Sequence, residues 1–158
     1  MKNFFEIFFL PQSFALDLET LEKKYLAFQQ QFHPDNSSSA DIEQSILINE
    51  AYKILSAPIS RASYILGLNG IDLENDSQAP KVDQATLVEI LELQEGLAEM
   101  DASAAENLKK ELNTKIKSLL AEVALELENK DFRKAAQILI KAKYFDKTLR
   151  DLKAKKRN

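Results

Sequence analysis

The tripeptide His33-Pro34-Asp35 contains the only histidine of this 158-residue chain and is the first place to look for chemistry. An imidazole close to a carboxylate could act as a general base. However, the chain has no cysteine and no second histidine, and no serine completes a nucleophilic arrangement with this pair. We therefore expect the tripeptide to be a contact surface, and we do not expect this chain to be an enzyme.

The segment before the tripeptide has the pattern of an amphipathic helix. Asp17 can cap a helix start, and Leu16 and Leu21 can close a hydrophobic staple around it. Pro34 ends the helix, because proline donates no amide hydrogen and disfavours helical geometry at His33. Between these limits apolar residues recur at spacings of three and four, which predicts a buried face. They are Leu18, Leu21, Tyr25, Phe28 and Phe32.

A second helix is predicted over about residues 41–56. Its apolar residues are Ile42, Ile46, Ile48, Ala51, Tyr52 and Leu55. Its length suits an antiparallel partner for the first helix, and a short polar loop joins the two. The loop would hold His33, Pro34 and Asp35 at the exposed end of a helical hairpin.

The tripeptide in this setting is the signature of a J-domain, and further motifs resemble the HscB family of iron–sulfur co-chaperones. The most discriminating element is Pro58-x-x-Arg61-Ala62-x-Tyr64. The other motifs are Asn3-Phe4-Phe5-Glu6-Ile7-Phe8, Leu10-Pro11, Ile48-Asn49-Glu50-Ala51-Tyr52 and Leu91-Glu92-Leu93-Gln94-Glu95. The resemblance runs from Asn3 to about Leu152.

This resemblance implies two binding partners. A J-domain would engage the ATPase domain of a DnaK/HscA-type chaperone, and a helical domain would hold the iron–sulfur scaffold protein IscU. The implied chaperone-binding residues are His33, Pro34 and Asp35, with Lys23 and Lys24 of the preceding helix. The implied function is to stimulate ATP hydrolysis by the chaperone and to deliver the scaffold to it, which assists cluster transfer and the maturation of iron–sulfur proteins.

The composition favours an all-α fold, because only three glycines and four prolines interrupt the chain and no strand-type alternation persists. Four regions are predicted: a J-domain over 1–67, a linker over 68–82, a scaffold-binding three-helix bundle over 83–152 and a basic tail over 153–158. The bundle helices are predicted at about 83–100, 104–129 and 131–152, the last capped by Asp131. The middle helix has one apolar stripe, formed by Leu108, Leu112, Ile116, Leu119, Val123 and Leu127.

The first bundle helix separates its apolar side chains into two stripes at 100° per residue. Ile90, Leu93, Leu97 and Met100 form the predicted core face. A second set lies off this face and combines apolar residues with neighbouring acidic ones. It consists of Leu87, Val88, Leu91, Glu92, Glu95 and Glu99. Taken alone, it could be an ordinary solvated acidic face.

The last bundle helix favours an interface instead. Its predicted buried stripe consists of Phe132, Ala135, Ile138, Leu139, Ala142 and Leu149. Tyr144 points away from this stripe, and an exposed aromatic residue is a typical interface anchor. The family resemblance maps the scaffold-binding site to the same side chains: Leu87, Val88, Leu91, Glu92, Glu95, Glu99 and Tyr144.

Several other classes of function are disfavoured. The absence of cysteine excludes thiolate-bound metals or clusters of the chain's own, so we expect no metal and no cofactor, and any cluster would belong to a partner. A net charge of −4 and the lack of a reading motif disfavour nucleic-acid binding, despite the basic tail. No apolar stretch approaches the ~20 residues that span a bilayer. Glu6 interrupts the early apolar run and Pro11 ends it, which disfavours a signal peptide, so we expect a cytoplasmic protein. The cysteine-rich zinc module of some relatives is not matched in this chain, so we expect the bacterial type.

Two other functional hypotheses remain open on the sequence alone. The chain could be a J-domain adaptor for a different client, or a helical interaction module that no longer uses its tripeptide. Recovery of both a chaperone and IscU in a pull-down from lysate would favour the co-chaperone hypothesis over these two.

Overall fold

A computed structural model of the chain describes residues 2–32, 39–75, 77 and 79–155. This part of the chain contains helices and no strand, so the all-α prediction is confirmed. The helices are α1 (Phe4–Ile7), α2 (Leu18–Gln31), α3 (Ser39–Ser56), α4 (Pro58–Leu68), α5 (Gln84–Gly96), α6 (Ala102–Glu128) and α7 (Phe132–Ala154). A 3₁₀ helix over Leu97–Glu99 follows α5. None of these helices is both long and apolar enough to cross a membrane.

The chain divides into two compact units, residues 1–65 and 66–158, which we call the N-terminal and C-terminal units. The division falls inside α4, close to the end of the predicted J-domain at residue 67. The predicted tail starts within α7, since that helix continues to Ala154. His33, Pro34 and Asp35 lie outside the described residues.

The start of α2 follows the sequence prediction. The Asp17 carboxylate accepts hydrogen bonds from the Glu19 amide (3.1 Å) and the Thr20 hydroxyl (2.7 Å). These bonds, the one from Thr20 above all, lower the pKa of Asp17. Leu21 is fully buried, as the apolar face requires. Leu18, by contrast, is 47% exposed, so its assignment to the core was wrong: it is the first residue of α2 and lies at the open end of the helix.

Helix α3 packs on α2 through aromatic and polar contacts. The rings of Tyr25 and Tyr52 stack at 3.9 Å, and the Tyr25 hydroxyl donates to Asn49 Oδ1 at 2.7 Å. The buried side chains of α3 are Ile48, Ala51 and Leu55. Ile42 and Ile46 are exposed, because they lie more than 100° around the helix from this buried stripe.

The discriminating Pro-x-x-Arg-Ala-x-Tyr element ties the N-terminal unit together. Arg61 is buried, and its guanidinium donates to the carbonyl oxygens of Phe14 (2.9 Å) and Leu55 (2.8 Å). Burial lowers the pKa of Arg61. Tyr64 stacks on Phe4 at 4.6 Å, and its hydroxyl accepts the Phe4 amide hydrogen. Both residues therefore hold distant segments of the unit in place.

The C-terminal unit is the predicted three-helix bundle. One buried cluster joins its helices, and it contains Ile90, Leu97, Ala105, Leu108, Leu112, Ile116, Phe145, Leu149 and Leu152. The predicted stripe of α6 is confirmed, with Leu119 and Leu127 half-buried at its margin. On α7 the sequence analysis missed Phe145 and Leu152, which are almost fully buried.

Two helices of the bundle begin at an aspartate cap, of which the sequence analysis predicted one and missed the other. Asp131 caps α7 as predicted, accepting the Lys134 amide hydrogen at 3.2 Å. Asp101 caps α6 in the same way through the Ala104 amide at 2.8 Å, so this helix begins two residues earlier than predicted. The α-helical part of α5 ends at Gly96.

Candidate functional site

Helix α5 presents the two faces that the helical wheel predicted. Ile90 and Leu97 are buried, and Leu93 and Met100 are partly buried against the same core cluster. The residues assigned to the outer face are exposed to solvent. Their exposed fractions are 40% for Leu87, 45% for Val88 and 55% for Leu91. An apolar strip of this kind on one helix is suited to contact with a partner.

Tyr144 and Leu87 come together in a single groove of about 520 Å³ in the C-terminal unit. Tyr144 is 41% exposed, in agreement with its predicted position off the buried stripe of α7. Ile140, one turn before Tyr144, also lines the groove. Val88 and Leu91 are not among the lining residues, but they continue the exposed apolar strip from Leu87 along α5. We call this cavity the Leu87–Tyr144 groove.

One wall of the groove was missed by the sequence analysis. It is formed by residues 79–82 and by Leu73, all of which fall in the predicted linker. Leu73 is only 8% exposed. The one sequence signal that could have found this wall is the presence of apolar residues such as Leu73 and Val82 in a segment that otherwise reads as a loop.

The acidic residues around α5 differ in their surroundings. Some are already paired: Asp83 lies 3.4 Å from Lys141, and Glu89 lies 2.7 Å from Lys115. The Thr86 hydroxyl, followed by Lys141, lowers the pKa of Asp83. Within the described residues no ion pair involves the three acids of the predicted site. These are Glu92, Glu95 and Glu99, all exposed, which we call the acidic edge. Their charge is free to attract a basic partner surface.

The two lysines predicted to bind a chaperone have different environments. Lys23 is exposed, with its ammonium 3.5 Å from the Glu19 carboxylate. The Lys24 ammonium donates to the carbonyl oxygens of Phe8 (2.9 Å) and Phe9 (3.1 Å). Lys24 therefore also ties α2 to the residues after α1, a contact that no local sequence pattern indicates. The chaperone-binding role of both lysines stays a prediction.

The described residues contain no cluster of histidine, cysteine, aspartate or glutamate side chains that could hold a metal ion. What the C-terminal unit offers is a surface for binding: an apolar groove, an exposed apolar strip and three carboxylates that form no ion pair with a described residue.

Residues 82–153, which include α5 and α6 and nearly all of α7, match the family described as the HSCB C-terminal oligomerisation domain. The chain is 35% identical over 157 residues to the co-chaperone protein HscB homolog of Aliivibrio salmonicida, and the match covers 92% of this chain and 91% of that protein. It is 32% identical over 163 residues to the human iron–sulfur cluster co-chaperone protein HscB, covering 98% of this chain and 69% of that protein. The crystal structure of human co-chaperone HscB is similar to this fold with a TM-score of 0.88 at 31% identity, covering 97% of this chain and 81% of that one.

Proposed function

The chain belongs to the HscB family of co-chaperones, and we propose that it couples a DnaK/HscA-type ATPase chaperone to an IscU-type iron–sulfur scaffold protein. The observation that carries the proposal is the convergence of Leu87 and Tyr144, from two different helices, in one groove. The exposed apolar strip and the acidic edge extend this surface along α5 and into the 3₁₀ helix that follows it. A surface with an apolar centre and a charged margin has the anatomy of a protein interface.

The N-terminal unit would serve the chaperone. His33, Pro34 and Asp35 lie between α2 and α3 in the sequence, and these three residues would contact the ATPase domain and accelerate ATP hydrolysis there. Lys23 is the better placed of the two lysines to attract an acidic partner, since Lys24 is engaged with two backbone carbonyls. The nucleotide chemistry takes place on the chaperone, so this chain acts as an activator and not as an enzyme.

The C-terminal unit would serve the scaffold. The cluster is cargo bound to the scaffold, since this chain has no cysteine with which to ligate iron. Leu87, Val88, Leu91 and Tyr144 would supply apolar contacts, and the acidic edge would speed the encounter and fix its orientation. Holding the scaffold close to the chaperone raises its local concentration there. We propose the bacterial cytoplasm as the place of action.

Affinity capture with the purified chain tests this proposal directly. Recovery of both an IscU-type scaffold and an Hsp70-type chaperone from a bacterial lysate supports it, provided that a Leu91→Ala variant recovers less of the scaffold and as much of the chaperone. Recovery of the chaperone without the scaffold would indicate an adaptor for a different client. Recovery of neither would contradict the proposal.

A further inference from the structure

Two ion pairs to α7 flank the wall formed by Leu73 and residues 79–82. The Lys143 ammonium lies 3.1 Å from the Glu74 carboxylate, and the Lys141 ammonium lies 3.4 Å from Asp83. Leu73, next to Glu74, is only 8% exposed. These contacts hold both ends of the wall against α7, where they form one side of the Leu87–Tyr144 groove.

The groove has a definite charge character. Lys81 and Lys143 are its only charged lining residues, and no acidic residue lines it in the described part of the chain. Lys143 is compensated by Glu74. Lys81 is exposed and makes no ion pair with any described residue. A partner that fills the groove therefore meets apolar surface with one ammonium, that of Lys81, which no described residue compensates.

We propose that the Leu87–Tyr144 groove takes an apolar side chain of the scaffold that is flanked by a carboxylate, and that Lys81 binds this carboxylate. This inference rests on the proposed function, because it names the chemistry of the scaffold segment that this site accepts. The groove removes the apolar side chain from water, which favours binding. Lys81 raises the affinity only of those scaffold segments that carry a negative charge beside this side chain.

The positions of the charged residues also favour one orientation of the bound scaffold. Glu95 lies eight residues beyond Leu87 on α5, which corresponds to about 12 Å along the helix. A positive residue at the groove and a negative edge farther along α5 match a scaffold surface that carries the opposite signs in the same order. A reversed scaffold would place like charges together at both ends, so only one orientation is favoured.

Substitutions at Lys81 test the inference. We would measure the affinity of a purified IscU-type scaffold for Lys81→Met, which keeps most of the apolar stem, and for Lys81→Glu and Lys81→Arg. Lys117→Glu, at an exposed position of α6 outside the groove, is the matched control for net charge. The expected loss is about threefold for Lys81→Met and about tenfold for Lys81→Glu. Lys81→Arg and Lys117→Glu should stay within about twofold of the original chain.

Two results would overturn the inference while leaving the proposed function intact. One is Lys81→Glu binding as tightly as the original chain while Leu91→Ala still weakens the complex. The other is an equal loss for Lys81→Glu and Lys117→Glu, which would indicate a long-range effect of net charge with no contact at Lys81. Failure of the unaltered chain to bind the scaffold would instead remove the proposed function, and the inference with it.

Discussion

Leu91 and Leu93 stand two residues apart on α5, yet Leu91 is 55% exposed and Leu93 packs against the core of the C-terminal unit. Residues two positions apart on an α-helix are separated by about 200° around its axis, so these two leucines can face opposite environments. Substitutions at these two positions can therefore separate a contribution to scaffold binding from a contribution to folding.

The first prediction uses this pair. Leu91→Ala should weaken scaffold binding by about 1–2 kcal/mol, as truncation of an apolar interface anchor does. Leu93→Ala should lower the free energy of unfolding by about 2 kcal/mol, at the low end for a core leucine because Leu93 is only partly buried. Calorimetric titration of the scaffold and urea unfolding measure the two effects. Leu125→Ala, at a 56% exposed leucine of α6, should change neither. Loss of binding in Leu93→Ala with Leu91→Ala unaffected in both assays would show that the two faces are inverted.

The second prediction concerns the acidic edge. Glu92→Lys should slow association with the scaffold and flatten the dependence of the association rate on salt, because Glu92 is exposed and unpaired within the described residues. Stopped-flow measurements at several ionic strengths give both quantities. Glu128→Lys makes the same change of net charge at the end of α6, and it should leave the salt dependence closer to that of the original chain. Identical salt slopes for the two variants would mean that the edge does not face the scaffold.

The third prediction concerns strain at Phe9. This side chain is 74% exposed, and its backbone has a φ of 54°, in the left-handed region that favours glycine. Phe9→Gly should raise the free energy of unfolding by about 0.5–1 kcal/mol, the relief of strain minus the entropy of a new glycine. Phe9→Ala retains the Cβ atom and should give no such gain. Equal unfolding midpoints in urea for these two variants would contradict a contribution of backbone strain at Phe9 to the free energy of unfolding.

The fourth prediction concerns the buried guanidinium of Arg61. Arg61→Met should cost about 2–4 kcal/mol of unfolding free energy, because the carbonyls of Phe14 and Leu55 lose their donors inside the unit. Arg61→Lys should recover part of this loss through a single hydrogen bond. The control Arg150→Met breaks an exposed ion pair with Asp146 and should cost no more than about 0.5 kcal/mol. Similar melting temperatures for Arg61→Met and Arg150→Met would contradict the assigned role.

The parts of the fold that the sequence predicted well depend on local signals. Helical periodicity identified the α6 stripe and the two faces of α5, and side-chain capping identified the starts of α2 and α7. These patterns are local because the rotation per residue and the capping hydrogen bonds involve residues within a few positions of each other.

The parts that could not be predicted depend on contacts between distant residues. The Lys143 to Glu74 ion pair joins residues 69 positions apart, and it helps to turn an apparent linker into a wall of the groove. The bonds from Lys24 to the carbonyls of Phe8 and Phe9 likewise give a structural role to a lysine assigned only to chaperone binding. Leu18 satisfied the helical periodicity but remains exposed, because it is the first residue of α2 and periodicity does not indicate which turns of a helix other elements cover.

The central claim, that the chain activates a chaperone and delivers a scaffold to it, is tested most directly by the steady-state ATPase rate of an HscA-type chaperone. The chain should raise this rate, and an IscU-type scaffold should raise it further. His33→Gln should abolish both effects while changing the unfolding free energy by no more than about 0.5 kcal/mol, whereas Leu91→Ala should reduce only the effect of the scaffold. Full stimulation by His33→Gln, or no stimulation by the original chain, would contradict the account.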